Sequence, residues 1–258
     1  MIQFTLTLLV VIAGLFMALL ASIEIGRCAG RRRKSTSQTQ REGIGVLDGA
    51  MFALLGFLIA LTFSGATLRF DLERQLVVDE ANALRTAYSR LDILPAVAQP
   101  LLRAKFREYT RSRLEAFRKL PNLDAMRTEL KRAGSLQTEI WSLAISASID
   151  PALKPERALV LPALNAMFDI ANSRTIATET HPPVIIFGIL VAVALISSYL
   201  VGDIMANDAT RNWLHTIAFA LVVALTFYVI VDIEFPRLGL VRIEAFDRVL
   251  VDALDKMR

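Results

Sequence analysis

The sequence is poor in the residues that build disulfide frameworks and metal centres. Its 258 residues include one cysteine, Cys28, and two histidines, His181 and His215. A single cysteine excludes an intrachain disulfide, and zinc sites usually need several Cys or His ligands. Glycine-rich phosphate loops and nucleophile-elbow motifs are also missing from the sequence. We therefore predict that the protein is not an enzyme and carries no metal and no cofactor.

Charge is nearly absent from four long stretches of the chain. Hydrophobic residues make up 54% of the sequence and the mean hydropathy is +0.48, although 21% of the residues are charged. The apolar runs lie near 2–23, 48–66, 184–202 and 212–231. Because a helix needs about 20 apolar residues to cross a bilayer, these runs predict four membrane spans. No basic residue precedes the first run, so we interpret it as a retained span rather than a signal peptide.

The polar chain between the second and third runs has a helical pattern, and prolines separate its segments. We predict an all-α fold, with four transmembrane helices and a helical extramembrane domain inserted between the second and third spans. The amphipathic tail is expected either on the membrane surface or on the helical domain. The predicted boundaries are 1–66 for the first two spans and their basic connector, 67–181 for the helical domain, 182–232 for the last two spans and 233–258 for the tail.

The connector between the first two spans, residues 25–47, is strongly basic. It holds six Arg and Lys residues against one acidic residue, Glu42. Short basic loops stay in the cytoplasm, which would place residues 67–181 on the outer side. We predict a flexible loop over 35–40. Asp48 is interpreted as the N-cap of the second span, and a cation-facing ring of Asp48 in an oligomer is the less favoured alternative.

The segment that starts at Pro100 has an apolar face and a basic face. Leu102, Phe106 and Tyr109 recur at helical spacing on the apolar side. A solvated basic face is favoured over a site that attracts anions, and no motif of a nucleic-acid reader occurs. The basic residues are Arg103, Lys105, Arg107, Arg111, Arg113, Arg118 and Lys119.

The second span has a stripe of small residues. Gly49, Ala53, Gly56, Ala60 and Ser64 are spaced by three or four residues, so they share one face of the helix. Small residues let another helix approach closely, which is how helices associate inside a membrane. The stripe therefore predicts helix packing, which is compatible with a pore and equally with a span that lines none.

Three segments of the chain resemble the bestrophin-like family of bacterial membrane proteins. The RFDLER stretch after the second span is also similar to true bestrophins, in which an apolar helix leads into an Arg-aromatic-acidic-Arg motif. The resemblance covers most of the chain, and the segments are in the family's order. They are LLGFLIALTFSGATLRFDLERQLVVDEANALRTAYSRLDILP, LPALNAMFDIANSRT followed by HPP, and VDIEFPRLGLVRI.

The resemblance implies a function as well as a fold. True bestrophins are pentameric anion channels, some bacterial members pass cations, and their second helix lines the pore with bulky apolar residues. For this chain it implies a homo-oligomer, five subunits in the true bestrophins, in a bacterial inner membrane, with ions as its cargo. Phe52, Ile59 and Phe63 share one stripe of the second span and would form the constriction, which gates by dewetting.

The resemblance also points to four charged residues just beyond the second span. Arg69, Asp71, Glu73 and Arg74 match the charged motif, whereas the aromatic pair of true bestrophins is reduced here to Phe70. Arg69 and Glu73 are four residues apart and Asp71 and Arg74 are three apart, so both pairs can form along one helix. We predict a structural charge network at the membrane edge.

Two questions stay open at the level of sequence. Bestrophins keep their helical domain and both termini in the cytoplasm, which conflicts with the orientation that the basic connector predicts. The function is either that of an oligomeric ion channel lined by the second span, or that of a non-conducting membrane scaffold or sensor whose helical domain binds a partner.

Overall fold

The computed structural model describes residues 2–32, 38–207, 212–241 and 244–257. Within these ranges every regular element is a helix, so the all-α prediction is confirmed. Four helices in the described part of the chain are long and apolar enough to cross a membrane. The protein is therefore a membrane protein, as its apolar runs predict.

Eight α-helices follow one another in the described ranges. Short 3₁₀ segments at Arg90–Ile93, Pro151–Leu153 and Met205–Asn207 join some of them. The α-helices are α1 (Ile2–Arg32), α2 (Gln38–Ser89), α3 (Gln99–Arg118), α4 (Leu123–Ala147), α5 (Lys154–Glu179), α6 (Val184–Ile204), α7 (Trp213–Glu234) and α8 (Glu244–Asp255).

The helix starts in the polar part of the chain follow from local chemistry. Pro100 lies in the first turn of α3, where its missing N–H leaves no hydrogen bond unmade. The Asn122 side chain accepts a hydrogen bond from Ala125 N at 3.0 Å and so caps the start of α4. These residues fix where the helices begin, and packing then holds them together.

The chain separates into two compact units. The span unit comprises Met1–Leu68 and His181–Phe235, and the helical unit comprises Arg69–Thr180 and Pro236–Arg258. The single helix α2 contributes its apolar part to the span unit and its polar part to the helical unit. Each unit has its own hydrophobic core.

The core of the span unit is built from all four apolar helices. Leu19 of α1, Leu55 of α2, Leu190 of α6 and Phe227 of α7 are buried in one cluster. α1 is the central element because both α6 and α7 pack along it.

The core of the helical unit joins five helices. Leu84 of α2, Phe106 of α3, Ile140 of α4, Leu164 of α5 and Leu250 of α8 are fully buried in one cluster. The tail helix α8 packs on α3 within this unit, which is one of the two positions expected for an amphipathic tail.

Two sequence-based expectations about the second helix are wrong. α2 begins at Gln38, so the loop expected over 35–40 does not extend to 38–40, and 35–37 lie outside the described residues. Asp48 is therefore inside α2 and is not an N-cap. Gln, Arg and Glu are good helix formers, and they carry the helix beyond the apolar run. At the other end α2 stops at Ser89, and the 3₁₀ segment Arg90–Ile93 follows.

Candidate functional site

α2 is the apolar helix that the rest of its unit covers least. In the most apolar 18-residue segment of α2, 11% of the residues are buried inside the chain, whereas the figure for α7 is 39%. One face does pack inward, since Leu55 and Ala66 are buried and Leu58 lies against the same cluster. The remaining faces of α2 are available to lipid, to another copy of the chain or to a pore.

The stripe of small residues lies on an uncovered face of α2. Gly49, Ala53, Gly56, Ala60 and Ser64 are all exposed. A Cβ atom added at Gly49 or Gly56 would meet no heavy atom of the described chain within 4 Å. The stripe therefore packs on no described helix of its own chain, and its role in helix packing stays a prediction.

The three residues expected at a constriction, Phe52, Ile59 and Phe63, differ in how exposed they are. Ile59 is partly buried and packs against the core of the span unit, and Phe52 is also half-buried. Phe63 is 41% exposed. Phe57 and Leu61 lie farther from the covered face and are more exposed, at 63% and 59%. Within the apolar run 49–66, the large side chains that α2 presents most openly are therefore Phe57 and Leu61.

The charged motif lies on α2 at the start of the helical unit. Arg74 Nη1 lies 3.2 Å from Asp71 Oδ1, and both side chains are exposed. The Arg74 guanidinium is also 5.7 Å from the centre of the Phe70 ring. Glu73 is buried, whereas Arg69 is half-buried. The Asp71–Arg74 contact has the expected spacing, and the role of the four residues as a network stays a prediction.

α1 and α6 approach each other through glycines that the sequence analysis did not single out. A Cβ at Gly202 would lie 1.9 Å from the Ile23 carbonyl oxygen, and a Cβ at Gly26 would lie 2.0 Å from that of Tyr199. Only glycine fits at such a distance. The signal was present, because Gly26 and Gly30 have the spacing of a close-packing motif.

A cluster of five charged residues is buried in the helical unit. The two carboxylate oxygens of Glu80, on α2, accept hydrogen bonds from Arg113 Nε at 2.5 Å and from Arg174 Nη1 at 2.6 Å. The carboxylate of Asp247, on α8, accepts hydrogen bonds from Arg174 Nη2 at 3.1 Å and from Arg237 Nη1 at 2.9 Å. Two carboxylates are thus shared among three guanidinium groups, and they link α2, α3, α5 and α8.

One aromatic ring completes this charge cluster. The Arg174 guanidinium lies 3.8 Å from the centre of the Phe117 ring, and those of Arg113 and Arg237 each lie 5.1 Å from it. Cations are attracted to the face of an aromatic ring, more strongly where water is excluded. The ring therefore offsets part of the repulsion among the three arginines.

The electrostatics of the cluster follow from burial and pairing. Burial opposes ionisation of Glu80, but Arg113 and Arg174 outweigh it and hold the pKa of Glu80 below its usual range. Burial lowers the pKa of Arg174, and repulsion from Arg237 adds to this shift although Glu80 opposes it. Glu80 is therefore the ionised anchor on which the arginines depend.

The assignment of Arg113 to a solvated basic face is wrong. Arg113 is 3% exposed and points into the unit, where it also donates from Nη2 to the Ala171 carbonyl oxygen at 2.8 Å. The sequence did contain a signal, because Glu80 interrupts the apolar positions Val77, Ala81 and Leu84 at helical spacing. A charge at a core position requires a buried partner.

No metal centre is formed by the residues that the structure describes, among which no three His, Cys, Asp or Glu side chains are grouped to hold an ion. Cys28 is a free thiol.

The order of helices, the apolar second helix and its charged continuation agree with one family. A family model described as a bestrophin-like domain matches residues 15–245. The chain belongs to the bestrophin-like family. No curated protein matches it in sequence.

Solved structures of bestrophin homologs share the fold. Two single-substitution variants of a bacterial bestrophin homolog from Klebsiella pneumoniae match with TM-scores of 0.68 and 0.67, each at 14% sequence identity. The matches cover 95% and 93% of this chain and 98% of each homolog chain. At this identity the likeness concerns the fold, which is that of a bestrophin over nearly the whole chain.

Proposed function

We propose that the protein is an oligomeric ion channel whose pore is lined by α2. Membership of the bestrophin-like family and the shared fold support this function. The observation that carries it is the exposure of α2, a span that the other helices of its unit leave largely uncovered. A helix with large apolar side chains directed away from its own core is suited to a hydrophobic constriction.

The two uncovered faces of α2 suit two different neighbours. On one, the small stripe around Gly56 allows the backbone of an adjacent copy to approach closely. On the other, Leu54, Phe57 and Leu61 present bulk at successive turns. In a ring of copies the first face would form the subunit interface and the second would face the central axis.

Phe57 and Leu61 are the candidates for the constriction, because both lie on the face that would point to the axis. Phe63 is exposed but lies roughly 120° around the helix from Phe57, beyond the small stripe. The packing of Ile59 makes it the least suited of the predicted three. A narrow ring of such side chains excludes water and blocks ions without a charged plug. Trimming one to alanine widens the ring and lets water enter.

Ion flux into liposomes tests this proposal. We expect Phe57→Ala and Leu61→Ala to raise the resting flux, with little change in selectivity because no charge is altered. Ile59→Ala should change the flux less. Val222→Ala on α7, which is 63% exposed, is the matched control for trimming an apolar side chain on another span.

Absence of flux above that of empty liposomes would remove the channel proposal. The result must hold for wild type and for both trimmed variants, with cations and anions and over a range of voltage. The alternative function, a non-conducting scaffold or sensor whose helical unit binds a partner, would then take its place.

The bestrophin-like family and the four apolar helices of the chain favour the inner membrane of a bacterium as the location. Helical spans are one of the two structures that satisfy every backbone hydrogen bond inside a bilayer. We propose that residues 67–181 form an extramembrane domain, because the cluster of Glu80, Arg113 and Arg174 would be costly to bury in lipid.

A further inference from the structure

A cavity of about 310 Å³ opens beside the buried charge cluster of the helical unit. Phe117 and Arg118 of α3 line it together with Asp247 and Arg248 of α8. Arg237, from the segment before α8, completes the charged lining. The volume is at the lower end of the range for small-molecule sites.

The charges that line this cavity are mostly positive. Arg118, Arg237 and Arg248 face one acidic residue, Asp247. Asp247 is already occupied, because Arg237 Nη1 and Nη2 lie 2.9 Å and 3.2 Å from its oxygens and Arg174 Nη2 lies 3.1 Å away. The carboxylate therefore cannot neutralise the arginines at the mouth of the cavity.

The wall behind the cavity also carries excess positive charge. Three arginines share two carboxylates there, and all five side chains are at least nine-tenths buried. Arg237 Nε is buried as well, and no described residue accepts a hydrogen bond from it. Uncompensated buried charge is strongly unfavourable, so the cluster would gain from an anion at its open side.

The two arginines at the mouth are accessible to such an anion. Arg248 is exposed and forms no ion pair with any described residue. Arg118 is also exposed and makes a single contact of 3.1 Å with Glu115, a pair that is worth little in water. Both can therefore turn toward a ligand at small cost.

We propose that this cavity is a binding site for a small phosphate-bearing anion, held by Arg118 and Arg248 at the mouth and by Arg237 in the wall. A planar guanidinium offers two parallel N–H groups to an oxyanion, which favours phosphate over a spherical ion such as chloride. The cavity has room for a phosphate ester as well as for inorganic phosphate. The inference is independent of conduction, since it concerns the helical unit alone.

Titration calorimetry on the full-length protein in detergent, in a phosphate-free chloride buffer, tests the site. We expect saturable binding of one phosphate per chain, weakened at least tenfold by Arg248→Gln and by Arg118→Gln. Arg248→Lys should weaken it less than Arg248→Gln, because the charge remains while the fork is lost. Glycerol 3-phosphate in place of inorganic phosphate distinguishes an ester or lipid headgroup from the free ion by which of the two binds more tightly.

Matched controls separate the site from general attraction of anions. Arg111→Gln on α3 and Lys256→Gln just after α8 remove the same charge from exposed positions that do not line the cavity. Both should bind phosphate like wild type. The proposal is overturned if folded wild type binds neither anion saturably, or if both mouth variants bind as tightly as these controls.

Discussion

At the scale of single residues, Glu80 is the position on which the helical unit depends most. It accepts hydrogen bonds from two buried arginines on two different helices. Replacing a buried pair with apolar residues can be harmless, but removing one partner leaves the others charged and unpaired. The loss of Glu80 would leave Arg113 without a carboxylate partner and Arg174 with only Asp247, which it shares with Arg237.

We expect Glu80→Gln to lower the free energy of unfolding by about 3–5 kcal/mol, because it leaves Arg113 and Arg174 without their shared anion. Glu139→Gln is the control, since Glu139 pairs with Lys105 at 2.8 Å on the surface and should cost about 0–1 kcal/mol. Denaturant unfolding in detergent measures both. Equal unfolding midpoints for the two variants would contradict the role of Glu80.

The lowered pKa of Glu80 predicts that stability depends on pH. The folded pKa of Glu80 is lowered, so its contribution is fully present above the unfolded value of about 4.3 and is lost as the pH falls through the folded pKa. Wild type should therefore lose stability in this acid range more steeply than Glu80→Gln. Melting temperatures of both proteins between neutral and acidic pH test the difference, and parallel curves would refute it.

At the scale of elements, the contact between α1 and α6 depends on the absence of a side chain. Gly202 of α6 faces the backbone of α1, whereas a Cβ at Gly188 of the same helix would meet no described heavy atom within 4 Å. Within one apolar helix the two glycines thus have opposite environments.

We expect Gly202→Ala to destabilise the span unit and Gly188→Ala to leave it unchanged or slightly more stable. The first substitution forces two backbones apart, while the second only improves helix propensity. Thermal unfolding of the two variants in the same detergent provides the comparison. A stable, correctly assembled Gly202→Ala protein would show that α1 and α6 are farther apart than the structure has them.

The small stripe of α2 makes a prediction about assembly. Gly56→Leu should disrupt the oligomer, because a branched side chain blocks the approach of a neighbouring copy. Gly14→Leu on α1 is the control, since Gly14 is equally open in the chain but lies outside the stripe. Native mass analysis in detergent counts the subunits. If the two variants have the same subunit number, the stripe is not an interface.

The sequence predicted the elements better than their contacts. The apolar runs located all four spans, since length and missing charge are local properties. The start of α2 was missed because polar helix formers such as Gln40 and Arg41 look the same in a loop and in a solvated helix. Arg113 was misplaced because its partner Glu80 is 33 residues away, and a helical period does not reveal which charged face packs against which acid.

At the scale of the whole molecule, four spans require that the chain crosses the membrane four times. In a Cys28→Ala background, Val97→Cys and Lys256→Cys should react with a membrane-impermeant thiol reagent from the same side, and Ser37→Cys from the opposite side. Val97 suits this test because it is 91% exposed.

The side of the membrane from which Val97→Cys reacts gives the orientation of the chain. Labelling of Val97→Cys in intact spheroplasts would support the prediction from the basic connector, and labelling only after lysis would support the cytoplasmic placement that the family resemblance implies. Reaction of Ser37→Cys and Lys256→Cys from the same side would contradict the number of spans.

The glycine crossing of α1 and α6 also limits how the gene can vary. Every base change that replaces a glycine adds a Cβ, and at Gly202 that atom would lie 1.9 Å from a carbonyl oxygen. Codons 26, 30 and 202 should therefore tolerate only synonymous changes in a saturation mutagenesis of the gene, whereas codons 14 and 188 should accept alanine and serine. At Gly26 and Gly202, natural sequence drift is thus confined by backbone atoms of the facing helix.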